Sequence, residues 1–183
     1  MRILKTEIPD VMLIEPKVFS DSRGMFFESF NNREYKKLEF SIEFVQDNIS
    51  RSQKNVIRGL HYQMENIQGK LVSVIQGDVF DVAVDLRKSS PYYGKHVSVM
   101  LSADKPRLFW VPPGFAHGFM VLSEAATFLY KVTDYYNSGA ERTIKWDDAT
   151  LNINWPLKDD IQPILSPKDL KGMNFLDAET YSF

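Results

Sequence analysis

Between Val79 and Arg87 the chain alternates. Phe80, Val82, Val84 and Leu86 interleave with Asp81, Ala83, Asp85 and Arg87, and a period of two lays these sets on opposite faces of a β-strand. Shorter runs rich in apolar and β-branched residues predict further strands at Val11–Glu15, Phe26–Phe30, Glu43–Asn48, Asn55–Gln63, Lys70–Ile75, Lys95–Leu101, Arg107–Val111, Gly118–Leu122, Thr127–Thr133 and Arg142–Trp146. Ser20–Gly24 and Gln76–Asp78 read as turns. Helix is sparse. Tyr35 and Leu38, three apart, mark a short helix over Asn32–Phe40, and Ser166-Pro-Lys-Asp169 has the shape of a helix start, with a serine cap, an early proline and an acid. Many short strands with little helix predict an antiparallel sandwich or barrel. No repeat, low-complexity tract or linker interrupts them, so residues 1–183 read as one domain. The stretch Gly172–Phe183 lacks a clear period and is expected to pack on the body or on a partner subunit.

Composition narrows the classes. A chain of 183 residues with 44% hydrophobic and 13% aromatic content can bury a core without disulfides or a structural metal. It has no cysteine, which excludes disulfides, thiolate zinc sites and a cysteine nucleophile. A net charge of -2, from 22 basic and 24 acidic residues, supplies no footprint for nucleic acid. No apolar run approaches the roughly 20 residues of a membrane span, and Met1-Arg-Ile-Leu-Lys-Thr-Glu lacks a signal-peptide core, so a soluble, cytoplasmic protein is expected.

Candidate chemistry comes from polar residues stranded on β runs. Asn55-Val-Ile-Arg-Gly-Leu-His-Tyr-Gln63 puts Arg58 and His61 on one strand, with Lys70 a hairpin away. A strand histidine is more often a satisfied core or surface residue, so the set carries more weight than any member. Arg58 and His61 have opposite parity; a bulge at Gly59 would bring both inward. Gly114-Phe-Ala-His-Gly-Phe119 again flanks a histidine with small residues, and Asp81 and Tyr130 lie on neighbouring runs. Gln46 and Asn48 share a face with Phe44, either the solvent face or an inward face that needs hydrogen-bond partners. A cupin-type metal site wants His-x-His and a nearby glutamate, but position 63 is Gln and His117 sits between Ala116 and Gly118. Neither a Gly-x-Ser-x-Gly elbow nor a phosphate-cradling glycine loop occurs. Acid–base chemistry remains: an imidazole near 6.5, a phenol near 10 and an ammonium near about 10.4 suit proton abstraction beside a carbonyl. Spacing alone does not select a substrate.

The chain resembles the dTDP-4-dehydrorhamnose 3,5-epimerase family. The likeness is carried by Asp21-x-Arg-Gly24, Phe27-Glu28, Phe44-Val-Gln-Asp-Asn48-x-Ser50, Arg58-Gly-Leu-His-Tyr-Gln63, Gly69-Lys70, Asp81-Val-Ala-Val-Asp-Leu-Arg87, Pro113-Gly-Phe-Ala-His-Gly-Phe119, Tyr130, Tyr135-Tyr136, Trp146-Asp-Asp148 and Leu165-Ser-x-Lys-Asp169. The resemblance implies an all-β, cupin-type jelly roll, a homodimer to which the N-terminal strands contribute, a dTDP-sugar substrate, and neither metal nor organic cofactor. By the same resemblance His61 is the base, Asp169 its partner, Tyr130 the proton donor and Lys70 a neighbour of the enolate, while Asp81 partners His117. The substrate side falls to Arg23, Glu28, Gln46, Asp47, Asn48, Arg58, Lys70, His117, Glu141 and Lys168, with Tyr136 stacking on thymine. Tyr92, Met25 and Asn137-Ser138 depart from the family pattern without touching acid or base. Inversion at carbons 3 and 5 is expected, with a single-centre epimerase, a metal-dependent cupin and a non-catalytic binder as the competing classes.

Overall fold

In the computed structural model, which describes residues 1–37, 42–158 and 160–183, the predicted β runs become strands. They are, in chain order, β1 (Arg2–Lys5), β2 (Met12–Glu15), β3 (Val18–Asp21), β4 (Gly24–Phe27), helix α1 (Asn32–Lys37), β5 (Gln46–Gln53), β6 (Ile57–Gln63) and β7 (Lys70–Gln76). There follow β8 (Asp78–Asp85), β9 (His96–Ser102), β10 (Leu108–Val111), β11 (Phe115–Val121), β12 (Ala125–Val132) and β13 (Glu141–Thr143). Helix α1 confirms the start of the expected helix; its expected end, with Leu38, lies outside the described residues.

Hydrogen bonding sorts the strands into a six-stranded sheet, β1-β2-β10-β7-β12-β5, and a five-stranded sheet, β13-β6-β11-β8-β9, with β3-β4 as a separate hairpin. The paired strands run antiparallel. From β5 onward the chain crosses between the sheets at almost every step, so His61 on β6 and Lys70 on β7 lie in opposing sheets although nine residues apart. Val72, Phe109 and Phe128 of one sheet meet Val79, Phe115 and Phe119 of the other in a shared core. This is the expected jelly roll.

Part of each outer face is covered as well. Tyr35 of α1 packs with Ile14, Leu71, Leu108 and Trp110 outside the six-stranded sheet. Outside the five-stranded sheet, Leu60, Val82, Val84 and Ile144 are buried by Leu151, Phe175 and Tyr181 of the C-terminal segment. That segment holds on through single parallel bridges, Val56–Ile164, Ile144–Met173 and Arg87–Tyr181, and through the Tyr181 hydroxyl, which donates to the Gln63 carbonyl at 2.6 Å. Asp148 ties it further, accepting the Phe175 N–H at 2.7 Å. The C-terminus therefore packs on the body of its own chain. The expected helix at Ser166 is shorter than its signal: only a 3-10 turn, Asp169–Lys171, forms before Gly172 leaves it.

Candidate active site

His61 pairs with His117 and Arg58 with Phe119, so three steps along β6 match two along β11. The surplus residue is a β-bulge at Gly59-Leu60, where a bulge was expected. Gly59 has φ of +118°, and a Cβ there would lie 2.6 Å from both the His117 carbonyl oxygen and the Gly118 Cα. Only glycine fits that approach. The bulge resets the parity of β6, and Arg58 and His61 line one cavity of about 290 Å³.

Both sheets build this cavity. The five-stranded sheet contributes Arg58, His61 and His117; the six-stranded sheet contributes Ser50, Lys70 and Tyr130. Phe119 and Phe128 stack across the gap with ring centroids 4.1 Å apart, giving an apolar wall that lowers the local dielectric.

Two imidazole–carboxylate pairs stand in it. His61 Nε2 lies 2.6 Å from Asp169 Oδ1, with the carboxylate almost fully buried. Asp169 also accepts the Gly59 N–H at 3.2 Å, the Ser166 N–H at 3.3 Å and the Ser166 hydroxyl at 2.6 Å. Burial pushes this carboxyl up, but His61 and Ser166 outweigh it and hold the group at about 2. Ser166 Oγ in turn accepts the Asp169 N–H at 3.2 Å, so the helix-start geometry and the pairing with His61 coexist. Burial pulls His61 below its ordinary value against Asp169, aided by Lys168 and Lys70. A neutral ring facing an ionised Asp169 carries its proton on Nε2, which leaves Nδ1 as the basic atom.

The second pair is His117 Nε2 with Asp81 Oδ1 at 2.7 Å, both buried. Burial drives Asp81 upward despite His117, and Asp81 Oδ2 is buried without a hydrogen-bond partner. Lys70 has one weak bond, Nζ to the His61 carbonyl at 3.4 Å, and burial lowers it to about 8 even with Glu141 and Asp81 nearby. Burial raises the Tyr130 phenol, with Arg58 opposing.

At the mouth, the Tyr136 hydroxyl donates to Glu141 Oε2 at 2.9 Å and Lys168 Nζ to Glu141 Oε1 at 2.7 Å. Arg58 Nε donates to Ser52 Oγ at 3.0 Å. Thus His61, Lys70, Arg58, His117, Tyr130, Tyr136, Glu141 and Lys168 converge on one cavity, with Asp169 behind His61. The other expected residues do not line the cavity directly, although Gln46 touches Tyr136 at its mouth. Gln46 and Asn48 occupy the inward parity of β5 but bond each other at 2.8 Å. Asp47 points the other way and pairs with Lys131 at 2.8 Å. Arg23 sits in the β3–β4 turn, paired with Asp21 at 2.6 Å, and Glu28 accepts from Asn31 at 3.0 Å. Ser166, a cap by its local pattern, also holds Asp169, a role with no separate signal along the chain. Among the described residues, no group of three or more His, Cys, Asp or Glu is arranged to hold a metal ion.

A jelly roll enclosing two imidazole–carboxylate pairs, an ammonium and a phenol defines a cupin-fold protein equipped for acid–base chemistry. The family profile described as dTDP-4-dehydrorhamnose 3,5-epimerase matches residues 5–177, and the chain belongs to that family. The dTDP-4-dehydrorhamnose 3,5-epimerase of Shigella flexneri is 54% identical over 183 residues, covering 99% of each chain. Among solved structures, the dTDP-6-deoxy-D-glucose-3,5-epimerase of Legionella pneumophila, in complex with dTDP-4-keto-L-rhamnose, superposes with a TM-score of 0.95 at 49% identity, covering 100% of this chain and 98% of that one. The Bacillus anthracis dTDP-4-dehydrorhamnose 3,5-epimerase, with TDP and PPi bound, has a TM-score of 0.90 at 42% identity, covering 94% and 98%.

Proposed function

We propose that this enzyme epimerises dTDP-4-dehydro-6-deoxy-D-glucose at carbons 3 and 5 to dTDP-4-dehydro-L-rhamnose, in dTDP-L-rhamnose biosynthesis. The observation that carries the reading is the placement of His61 and Tyr130 on strands of opposing sheets around one cavity. His61 takes the proton beside the 4-keto group, and the C–H electron pair moves into a C=C bond as the ketone becomes an enolate. Lys70 and His117 stabilise the developing oxygen charge, because a base alone cannot abstract so weak an acid. The C=C pair then takes a proton from Tyr130 on the other side, the ketone re-forms and the carbon is inverted; His61 loses its proton to solvent, the Tyr130 phenolate regains one, and the second centre repeats the cycle.

Binding follows the same reading. Arg58 and Lys168 meet the diphosphate, and Tyr136 stacks on thymine. Arg23 and Glu28 lie away from their own cavity and serve the nucleotide through a homodimer. Support comes from the β3–β4 hairpin, which leaves Phe19 52% and Phe26 66% exposed next to Arg23. No helix among the described residues is long and apolar enough to cross a membrane; a cytoplasmic location belongs to the proposal. The reaction needs neither metal nor organic cofactor, so activity should survive exhaustive chelation.

Turnover in heavy water tests the reading. Deuterium should enter at carbons 3 and 5. Incorporation at one carbon alone would leave a single-centre epimerase, and none at either, with dTDP still bound, would leave a binder.

A further inference from the structure

Tyr136 is an exposed aromatic bonded at both its hydroxyl and its backbone. The residue is 55% exposed at the cavity mouth, where a side chain normally samples several rotamers. Its hydroxyl, however, is taken by Glu141 at 2.9 Å, and its own N–H donates to Gln46 Oε1 at 3.3 Å. The peptide units on both sides are held by one side chain. Gln63 Nε2 donates to the Tyr135 carbonyl at 3.2 Å, and Gln63 Oε1 accepts the Asn137 N–H at 3.0 Å. The Gln63 amide thereby takes the place a neighbouring strand would occupy beside residue 136.

Gln63 is itself fixed. It is 5% exposed at the end of β6, and Nε2 also donates to the Asn66 carbonyl at 2.7 Å, coupling the loop after β6 to the loop after β12. Asn137 Nδ2 reinforces that coupling by donating to Asn66 Oδ1 at 3.1 Å. Gln46 belongs to the six-stranded sheet and Gln63 to the five-stranded sheet, so Tyr136 is referenced to both walls of the cavity. A flat ring pinned at its hydroxyl and backbone, with its face left open, is an aromatic surface whose ordering is complete before a ligand arrives.

We propose that Gln63 is a positioning residue for nucleobase recognition: its buried amide fixes the backbone of residues 135–137 so that Tyr136 is preset as the stacking platform. This rests on the reading of Tyr136 as the thymine contact. Gln63 makes no contact with the reacting carbons in this scheme; it acts on base affinity through Tyr136.

Gln63→Leu separates this role from general damage when dTDP and inorganic pyrophosphate are compared as ligands. Stacking on an aromatic contributes about 1–3 kcal/mol, so partial misplacement should weaken dTDP about five- to tenfold and raise KM alike. Pyrophosphate, which has no base, should bind within about twofold of wild type, and kcat should fall less than KM rises. Unchanged dTDP affinity, or equal weakening of both ligands, overturns the proposal. Tyr136→Ala is the separate arm: if it leaves dTDP affinity intact, the base-platform reading fails whatever Gln63 does. Should Gln63→Leu fail to fold, Gln63→Asn decides, because it keeps a buried amide but is one methylene too short to hold both the Tyr135 carbonyl and the Asn137 N–H. It should weaken dTDP about two- to fivefold and spare pyrophosphate, and wild-type affinity for dTDP would sink the idea.

Discussion

Nε2 of His61 lies 2.6 Å from Oδ1 of Asp169, although 108 residues separate them along the chain. Two distant features make the meeting: the bulge at Gly59 turns His61 into the cavity, and the C-terminal segment crosses the outside of the five-stranded sheet to deliver Asp169. The carboxylate accepts from two backbone N–H groups and one hydroxyl besides the imidazole, so it stays ionised and orients the ring.

Asp169→Asn tests that orientation. An amide in this position can donate to Nε2, which forces the proton onto Nδ1 and removes the base. Exchange of substrate protons with heavy water should fall about 10²- to 10⁴-fold with little change in folding temperature, whereas His61→Ala should abolish it. A loss below tenfold for Asp169→Asn would mean the ring needs no such partner.

Tyr130→Phe removes the proposed proton donor and leaves the ring. Proton abstraction by His61 continues, and the imidazolium exchanges with heavy water and returns a deuteron to the side the proton left. Deuterium incorporation should persist while net inversion drops at least about 10²-fold. Equal losses of exchange and inversion would place Tyr130 outside the donor role.

Ser166 makes a subtler contribution. Without its hydroxyl donor, Asp169 becomes more basic, pulls harder on the His61 proton and raises the acidity limit of the base. The acidic limb of kcat/KM in Ser166→Ala should therefore move upward, by about 0.7 pH unit for a hydrogen bond contributing about 1 kcal/mol. Lys70, Lys168, Glu141 and His117 surround the ring in both proteins, so the difference belongs to the hydroxyl. Ser166→Thr keeps the donor and should keep the wild-type limb. A turn weakened only as structure would lower activity at every pH equally.

Much of the architecture was legible from alternation, and the exceptions have causes. Strands β7, β8, β9, β10 and β12 fall within a residue or two of their expected ranges because alternation marks β8 and runs of apolar and β-branched residues mark the others. By contrast β3 is exposed at all four positions and its two apolar residues, Val18 and Phe19, are adjacent rather than alternating, and β1 is a four-residue edge strand. Strand β5, expected at Glu43–Asn48, instead runs Gln46–Gln53, since its inward residues Gln46, Asn48, Ser50 and Ser52 are polar. The start of β11 was missed because Ala116, His117 and Gly118 break the apolar run that marks the rest of the strand. Asp81 shows how a site hides. Its apparent polar face is an inner wall, and the residue is 0% exposed. The cluster of Arg58, His61 and Lys70 was visible locally; Asp169 was not, because only the packed C-terminal segment brings it near.

Gly59→Ala should be among the most damaging small substitutions. The new methyl would meet backbone atoms of β11 at 2.6 Å in a conformation with φ of +118°. Neither clash can be relieved by a rotamer change. A loss of about 3 kcal/mol or more is expected, read as a lower urea midpoint or as insoluble protein, and a midpoint near wild type would show that β6 can shift without cost.

Lys70 sets the other side of the pH profile. Burial lowers its ammonium to about 8, with Glu141 and Asp81 pulling upward and Lys168 downward. In the proposed mechanism the protonated form stabilises the enolate, so this contribution is present below about 8 and lost above it. The sign for His61 is opposite: only its neutral form abstracts a proton, and its value lies below the ordinary 6.5, so activity holds through pH 6.5 and falls on further acidification. The profile of kcat/KM should be bell-shaped, with an alkaline limb near 8 that belongs to Lys70. Lys70→Met should remove that limb and lower the rate about 10²-fold or more, since one preorganised donor to an oxyanion accounts for about that much. Lys70→Arg keeps a cation that does not titrate below about 12, so whatever activity it retains should persist beyond pH 9. An alkaline limb still near 8 in the arginine variant would assign that proton to another group and leave Lys70 without its role.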